Sequence, residues 1–322
     1  GPVKLSKIYK EHMRLQEYII NDILYFLMDI LFCEPNFYCL HSPIIVVGSL
    51  RGQLFDLFQI FAQSGDDFLN ATSEPTNLNN SYLFLGDYVD GYQYSIETFI
   101  FLAILKIKYP NQIYLLKGRH ELNEINRAYD LFKNCINIYG HYGLWYLMNE
   151  VFDLLPIAAV IDKRIFCVHG GLSPKINFIG QISTFDRRKY KSDSFYEDLL
   201  FSIPSDCVNK FLKCTKYLGY YFGRKQTLSF LYNNKLINRG DDLKDQKNSF
   251  IVCSHRNEKG YEWMHNNQLV TLWSSQYFSG DLASFMKISS QRNDNFILEK
   301  GTNKIEKQDE DHQSNLNKIK NE

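Results

Sequence analysis

The feature that most constrains this chain is a series of short, mostly apolar runs that each end at a glycine and a polar side chain. Residues 44–47, 82–85 and 112–116 are runs of this kind. Such runs are typical of strands buried on both faces. Apolar residues at helical spacing fill 54–61 and 95–108 between them. The repeated order of strand, loop and helix predicts an α/β layer fold with functional groups at the strand ends.

Other segments complete this prediction. Further strands are expected at 157–161, 165–168, 251–253, 269–273, 285–288 and 296–298. A helix is predicted within the first forty residues, with an apolar face formed by Leu15, Tyr18, Ile19, Ile23, Leu24, Phe26 and Leu27. The stretch 176–249 carries the weakest pattern.

Composition excludes several classes of protein. The 322 residues carry 36 basic and 36 acidic side chains, so the usual electrostatic argument for nucleic-acid binding is missing. No apolar run reaches the roughly 18 residues of a membrane span. The seven cysteines form no CxxC pair, and we expect reduced thiols in the cytoplasm, or alternatively the nucleus, rather than a disulfide scaffold or zinc module.

One domain is predicted, because no internal repeat or linker interrupts the chain. We expect residues 1–9 to be a cleavage remnant and N-terminal extension, since the chain begins with Gly1-Pro2. The domain itself is predicted over 10–300. Residues 301–322 are polar and are predicted to be a disordered tail.

The polar residues at the strand ends are of the types that bind metals. Asp87, His120, His169 and His255 each follow a predicted strand or its glycine. Carboxylate and imidazole groups gathered from several strand ends form a typical divalent metal site. Taken singly, each motif is equally explained as an ordinary loop that caps a helix.

Taken together, the motifs resemble the phosphoprotein phosphatases, the serine/threonine phosphatases of the type 1, type 2A and calcineurin group. Residues 86–90 read GDYVD, as in the GDYVDRG block of that family, and 115–121 read LLKGRHE, similar to LLRGNHE. Residues 169–174 match HGGLSP, and 254–262 and 269–274 resemble the AHQ…GYE and LVTLFS stretches. The resemblance runs in order from about residue 10 to 300.

The resemblance implies a single metallophosphatase-type domain with two packed mixed β-sheets flanked by helices. It also implies two divalent ions that activate a water for in-line attack on phosphorus. On the matching positions, Asp87 would bridge the ions, and His169 and His255 would ligate the second. His120, oriented by Asp90, would be the acid that protonates the leaving oxygen.

Several positions depart from the family pattern. The two residues that bind only the first metal in the family are replaced by Ser49 and Arg51. The asparagine that ligates the second metal is replaced by Arg119. The family's phosphate-holding arginine after GDYVD is replaced by Gly91, and a second phosphate arginine aligns with Lys216. The loop tyrosine is either displaced by one position, to Tyr277, or lost. Relative to the family residues, Ser49, Arg51 and Arg119 each raise the net charge of the pocket by about one, and Gly91 lowers it by one. The net charge of the pocket is therefore about two units more positive than in its relatives.

These replacements predict a catalytically inactive relative, a pseudophosphatase that acts as a protein-binding scaffold or regulatory subunit. Guanidinium groups would replace the metals by pairing with Asp87 and Asp90. Two alternatives stay open. Arg51, Arg119, His120 and Lys216 would bind phosphate or a phosphopeptide without hydrolysing it, or one weakly bound Mn, Fe or Zn at Asp87, His169 and His255 would support residual hydrolysis. We expect no cofactor, and we expect the partners to be other proteins, phosphoproteins among them.

Overall fold

The computed structural model describes residues 15–68, 77–188, 194–215, 218–237, 248–276, 281–289 and 296–300. The predicted extension 1–9, the predicted tail 301–322, Lys216 and Tyr277 lie outside the described residues, and the predicted domain limits 10–300 stay a prediction. Over the described ranges, no helix has the length and apolar character needed to cross a bilayer. All seven cysteines lie in these ranges and are free thiols, as predicted.

Short strands and helices alternate along the chain. The strands are β1 (Phe37–Leu40), β2 (Ile44–Val47), β3 (Ser81–Phe84), β4 (Ile113–Leu115), β5 (Ala158–Ile161), β6 (Ile165–Val168), β7 (Ile203–Pro204), β8 (Leu212–Lys213), β9 (Tyr220–Phe222), β10 (Ile251–Ser254), β11 (Tyr261–Met264), β12 (Leu269–Leu272), β13 (Ser284–Ile288) and β14 (Phe296–Lys300). The helices are α1 (Glu17–Cys33), α2 (Leu54–Ser64), α3 (Ser95–Lys108), α4 (Asn123–Ala128), α5 (Leu131–Tyr139), α6 (Gly143–Asp153), α7 (Gly180–Ser183), α8 (Phe195–Phe201) and α9 (Arg224–Asn233).

Two mixed sheets form the centre of the fold, which confirms the predicted architecture. One sheet has the order β1-β5-β6-β10-β12-β11 and the other β14-β13-β2-β3-β4. Side chains from both sheets, among them Val46, Leu83, Cys167, Val252 and Met286, share one buried cluster, so the sheets pack face to face. A small third sheet, β7-β9-β8, lies in the segment whose sequence pattern was weakest.

The outer face of each sheet is covered by helices. Ile45 and Val47 alternate with the inward residues of β2 and pack in a cluster with α1, α2, α3 and α6. Phe166 and Ile251 belong to the corresponding cluster with α8 and α9. Because both faces of the strands are buried, the strands read as continuous apolar runs rather than as alternating patterns.

The buried face of α1 differs from the predicted one. Its buried residues are Ile20, Leu24, Leu27 and Leu31, whereas Tyr18 and Phe26 are exposed. The helix is apolar on two sides, and spacing alone does not show which side packs on the domain. The strand β1, which follows α1, was not predicted.

The sheet topology gathers the predicted site residues at one edge. β2, β3 and β4 are parallel neighbours, so the residues that follow them leave the sheet at the same end. β6 and β10 are also parallel, which places His169 and His255 at the end of the second sheet. Ser49 and Trp273 form a bridge between segments that follow β2 and β12, linking the two sheets beside the site.

The buried carboxyl group of Asp56 is expected to make the stability of the protein depend on pH. It lies buried in α2, accepts a hydrogen bond from the Gln276 amide (2.6 Å), and its burial raises its pKa to about 6. A pKa raised from 3.8 to about 6 corresponds to about 3 kcal/mol of unfolding free energy. This stabilisation is complete below about pH 4 and is lost as the pH rises through the folded-state pKa. Urea unfolding from pH 4 to 8 should therefore show that the wild type loses about 3 kcal/mol relative to Asp56→Asn. Parallel pH curves for the two proteins would contradict this prediction.

Candidate functional site

Asp87 lies at the end of β3 in a left-handed backbone conformation, with φ 56°. Gly86 before it also has positive φ (99°), and a Cβ added there would come within 2.2 Å of the Gly118 nitrogen. Only glycine permits this approach of the β3 and β4 ends. The close turn brings the Asp87 carboxylate beside the segment 118–120, where its Oδ1 accepts a hydrogen bond from the His120 amide (3.0 Å).

Glu121 holds this turn in place. Its buried carboxylate accepts hydrogen bonds of 2.8 Å each from the backbone amides of Asp87, Tyr88 and Gly118. Burial, and then the neighbouring charge of Asp87, raise the pKa of Glu121 to about 8. The sequence analysis assigned no role to Glu121, although it is part of the 115–121 motif. Its position next to the Gly-Arg-His run was the only available signal.

Both arginines that replace metal ligands are directed at one carboxylate oxygen. The Arg51 Nη1 atom lies 3.5 Å from Asp87 Oδ2, and the Arg119 Nε atom lies 3.7 Å from the same oxygen. Arg51 is buried, in a left-handed conformation (φ 54°), and its amide donates to the Asp87 carbonyl. Arg119 differs, because its side chain is 41% exposed. Asp87 is therefore enclosed by cationic groups contributed by two strand ends.

Two imidazoles complete the surroundings of Asp87. The His169 Nε2 atom lies 3.2 Å from Asp87 Oδ1, and its Nδ1 donates to the Leu85 carbonyl (2.9 Å). Burial lowers the pKa of His169 to about 4. Burial acts to raise the pKa of Asp87, but His169, His120, Arg119 and Arg51 outweigh it and hold that pKa well below its usual range. Asp87 is thus a carboxylate at neutral pH.

Asp90 contacts His120, as predicted. Its Oδ2 lies 2.9 Å from His120 Nδ1, and its Oδ1 accepts hydrogen bonds from the amides of Asp130 and Leu131 (3.2 and 2.8 Å). These two amides begin α5, where the first amides of a helix have no partner within it. The expected pairing of Asp90 with an arginine stays a prediction. Burial lowers the pKa of His120.

Ser49 and His255 are turned toward other partners. The Ser49 hydroxyl lies 2.7 Å from the Ser254 hydroxyl, which also accepts a hydrogen bond from the Ser49 amide (2.8 Å). The His255 Nε2 atom donates to the Gly170 carbonyl (2.6 Å), and burial lowers its pKa to about 4. A nitrogen that donates this hydrogen bond cannot ligate a metal at the same time.

A cleft of about 850 Å³ opens beside Arg119 and His120. Its walls include the apolar side chains of Ile125, Phe201 and Leu218, together with Lys213. Gly91, where the family has a phosphate-holding arginine, lines a separate depression with Tyr92 and Asp130. Arg119 thus lines the cleft, whereas Arg51 is buried and is not among its lining residues.

Comparisons with known proteins agree with the motifs and the fold. A family model described as calcineurin-like phosphoesterase matches residues 39–282. One of the protein phosphatase 2A catalytic subunits of Dictyostelium discoideum is 35% identical over 282 residues, which cover 86% of this chain and 83% of that protein. This chain belongs to the phosphoprotein phosphatase family.

Other relatives of this phosphatase homologue are also catalytic subunits. The serine/threonine-protein phosphatase 4 catalytic subunit of Kluyveromyces lactis is 32% identical over 304 residues, covering 92% of this chain and 91% of its own. A solved serine/threonine phosphatase of Saccharomyces cerevisiae superposes with a TM-score of 0.77 at 24% identity, covering 94% of this chain and 96% of that one. The latter likeness shows the fold.

The metals that this family implies do not fit the donors of this phosphatase homologue. A binuclear centre needs neutral or anionic ligands around both ions. Here two guanidinium groups lie 3.5 and 3.7 Å from Oδ2 of Asp87, the residue that would hold both ions, and Arg cannot act as a ligand. Within the described ranges, no group of three His, Cys, Asp or Glu side chains is arranged to hold an ion.

Proposed function

We propose that this phosphatase homologue is catalytically inactive and acts as a protein-binding scaffold or regulatory subunit. The observation that supports it is the convergence of Arg51 and Arg119 on Asp87 Oδ2. A cation at about 4 Å from another is repelled by roughly 4 kcal/mol per unit charge product at an effective dielectric of about 20. A divalent ion at that distance from either guanidinium would be disfavoured by about twice as much.

The arginines also explain how the fold tolerates the loss of metals. A buried carboxylate without a partner costs several kcal/mol, and Asp87 has two guanidiniums beside Oδ2 and the His120 amide donating to Oδ1. Asp90 is satisfied by His120 and two amides. Two arginines against two carboxylates leave these four side chains with no net charge.

The proposal is tested by phosphate release from a small aryl phosphate with added manganese, alongside elemental analysis of the purified protein. We expect well under one equivalent of manganese, iron or zinc, and turnover no faster than that of an Asp87→Asn variant. The Dictyostelium type 2A catalytic subunit serves as the positive control. Two tightly bound metals, or turnover abolished by Asp87→Asn, would contradict inactivity. In the latter case the one-metal hydrolysis at Asp87, His169 and His255 would be the function instead.

The exposure of Arg119 favours a second candidate, a metal-free reader of phosphate or phosphopeptides. Its Nε lies 3.7 Å from Asp87 Oδ2, but its side chain is 41% exposed and lines the cleft together with Lys213. A planar guanidinium suits phosphate oxygens. Calorimetry with a phosphoserine peptide separates the candidates, since a reader would bind it without release of phosphate and would lose binding in Arg119→Ala.

The proposed location is the cytoplasm or the nucleus, and the proposed partners are other proteins. Four of the seven free thiols are buried, namely Cys135, Cys167, Cys214 and Cys253. Reduced cysteines are typical of those compartments.

A further inference from the structure

The outward side of α1 carries large aromatic residues that stay more than half exposed among the described residues. The guanidinium of Arg188, which pairs with Asp186, lies over the Phe32 ring at 5.7 Å from its centroid. Tyr18, Tyr25, Phe26 and Phe32 are 57–64% exposed. The opposite side is anchored by Ile20, Leu24, Leu27 and Leu31, all of them buried. Positions 18, 22, 25, 29 and 32 follow the three- and four-residue spacing of a single helical stripe. We call this stripe, formed by Tyr18, Asp22, Tyr25, Phe26, Asp29 and Phe32, the aromatic face of α1.

The aromatic face is large enough to be an interface. A Tyr or Phe side chain with about 60% of its roughly 200 Å² exposed presents about 120 Å², so the four rings present roughly 500 Å². The largest apolar patch of a typical monomer is about 300–600 Å² and is often functional. Tyr142 and Tyr146 are also exposed, and the neighbouring His141 contacts Glu17 at the start of α1 (3.1 Å), outside the stripe. The four rings alone supply more than half of the roughly 800 Å² per partner of a standard interface.

The charges on α1 indicate what covers this face. Residues 17–33 contain Glu17, Asp22 and Asp29 and no lysine or arginine, although the whole chain is neutral. Asp22 and Asp29 are exposed and lie between the aromatic residues of the stripe. A partner that buries the rings must bring cations opposite these carboxylates, since like charges in contact suppress association.

The same charges disfavour two other occupants. A second copy of this chain, docked through the same face, would place acidic side chains against acidic ones. An anionic membrane surface attracts basic helices, and this face is acidic. The geometry of a straight helical stripe matches an amphipathic helix laid alongside it, whose apolar residues recur at three- and four-residue spacing.

We propose that the aromatic face of α1 is a docking surface for a basic amphipathic helix of a partner protein. The inference rests on the proposed protein-binding role. It concerns a helix outside the candidate site, so the aryl phosphate assay and the docking test can fail independently.

The test uses the full chain and a synthetic amphipathic peptide of about five turns, with leucines in one stripe and lysines along both of its borders. We expect saturable binding by fluorescence anisotropy that weakens as salt is added. Tyr25→Ser with Phe26→Ser, and separately Asp22→Lys with Asp29→Lys, should each weaken binding at least tenfold. A peptide with glutamate in place of every lysine should bind at least tenfold more weakly than the lysine peptide.

Phe178→Ser is the matched control, because Phe178 is also an exposed ring (55%) and lies outside α1. It should bind the peptide like the wild type. Thermal melts of all variants establish that they fold, as expected for substitutions on exposed positions. Equal binding of both peptides, or binding unchanged in the α1 variants, would overturn the proposal. So would dimerisation in sedimentation, or adsorption to phosphatidylserine vesicles, that the α1 variants abolish.

Discussion

Arg51→Ala is expected to lower the free energy of unfolding by about 3 kcal/mol, because it leaves the buried Asp87 carboxylate without its buried guanidinium. Breaking a buried ion pair costs about 3–5 kcal/mol. We expect the lower value here, because Arg119, His169 and the His120 amide remain within 3.0–3.7 Å of Asp87. Urea unfolding at neutral pH measures the change.

Arg119→Ala is the matched control for this prediction. Its contact with the same oxygen is of similar length, 3.7 against 3.5 Å, but its side chain is 41% exposed. Exposed pairs contribute about 1 kcal/mol or less, so this variant should stay close to the wild type. In an Asp87→Asn background, Arg51→Ala should destabilise much less, because the carboxylate that Arg51 Nη1 contacts at 3.5 Å has been neutralised. Equal losses for the two arginine variants would show that burial of the pair does not set its contribution.

Restoring the family residues should make stability depend on metal. In the triple variant Ser49→Asp, Arg51→His and Arg119→Asn, the new carboxylate at position 49 would repel Asp87 when the pocket holds no ion. Manganese at about one hundred times its dissociation constant should add about 2.7 kcal/mol. For a chain of 322 residues that corresponds to a rise in Tm of about 4 °C, reversed by a chelator.

The wild type should show no change in Tm with manganese or chelator, because arginines already neutralise Asp87. Adding Asp87→Asn to the triple variant removes the bridging ligand and should abolish the response to manganese. A chelator that lowers the Tm of the wild type would argue that the native site holds a metal after all.

Much of the fold was predictable because its strands are short and buried on both faces. A run such as Ile44–Val47 is apolar throughout and ends at glycine, and the structure places a strand there. The helix Ser95–Lys108 begins and ends as predicted, ahead of Pro110. The strand Phe37–Leu40 was missed, since its four residues include one exposed position and follow a longer helical pattern.

The site was predictable in its members more than in its contacts. Motif order identified Asp87, Asp90, His120, His169 and His255, and the structure brings Asp87, His120 and His169 together. It turns His255 Nε2 toward the Gly170 carbonyl and Ser49 toward Ser254. Hydrogen bonds to backbone groups leave no trace in a sequence, because every residue carries the same backbone donors and acceptors.

The sequence by itself determined that two arginines stand where metal ligands belong, and that a helix lies within the first forty residues. The tertiary structure decided that both arginines face Asp87 and that the start of α5 serves Asp90. It also decided which side of α1 is buried. The physical reason is common to these cases. Local spacing specifies the conformation of a segment, but contacts of 3–4 Å depend on how distant segments pack, and the rotation of a two-sided apolar helix is set by the surface it meets.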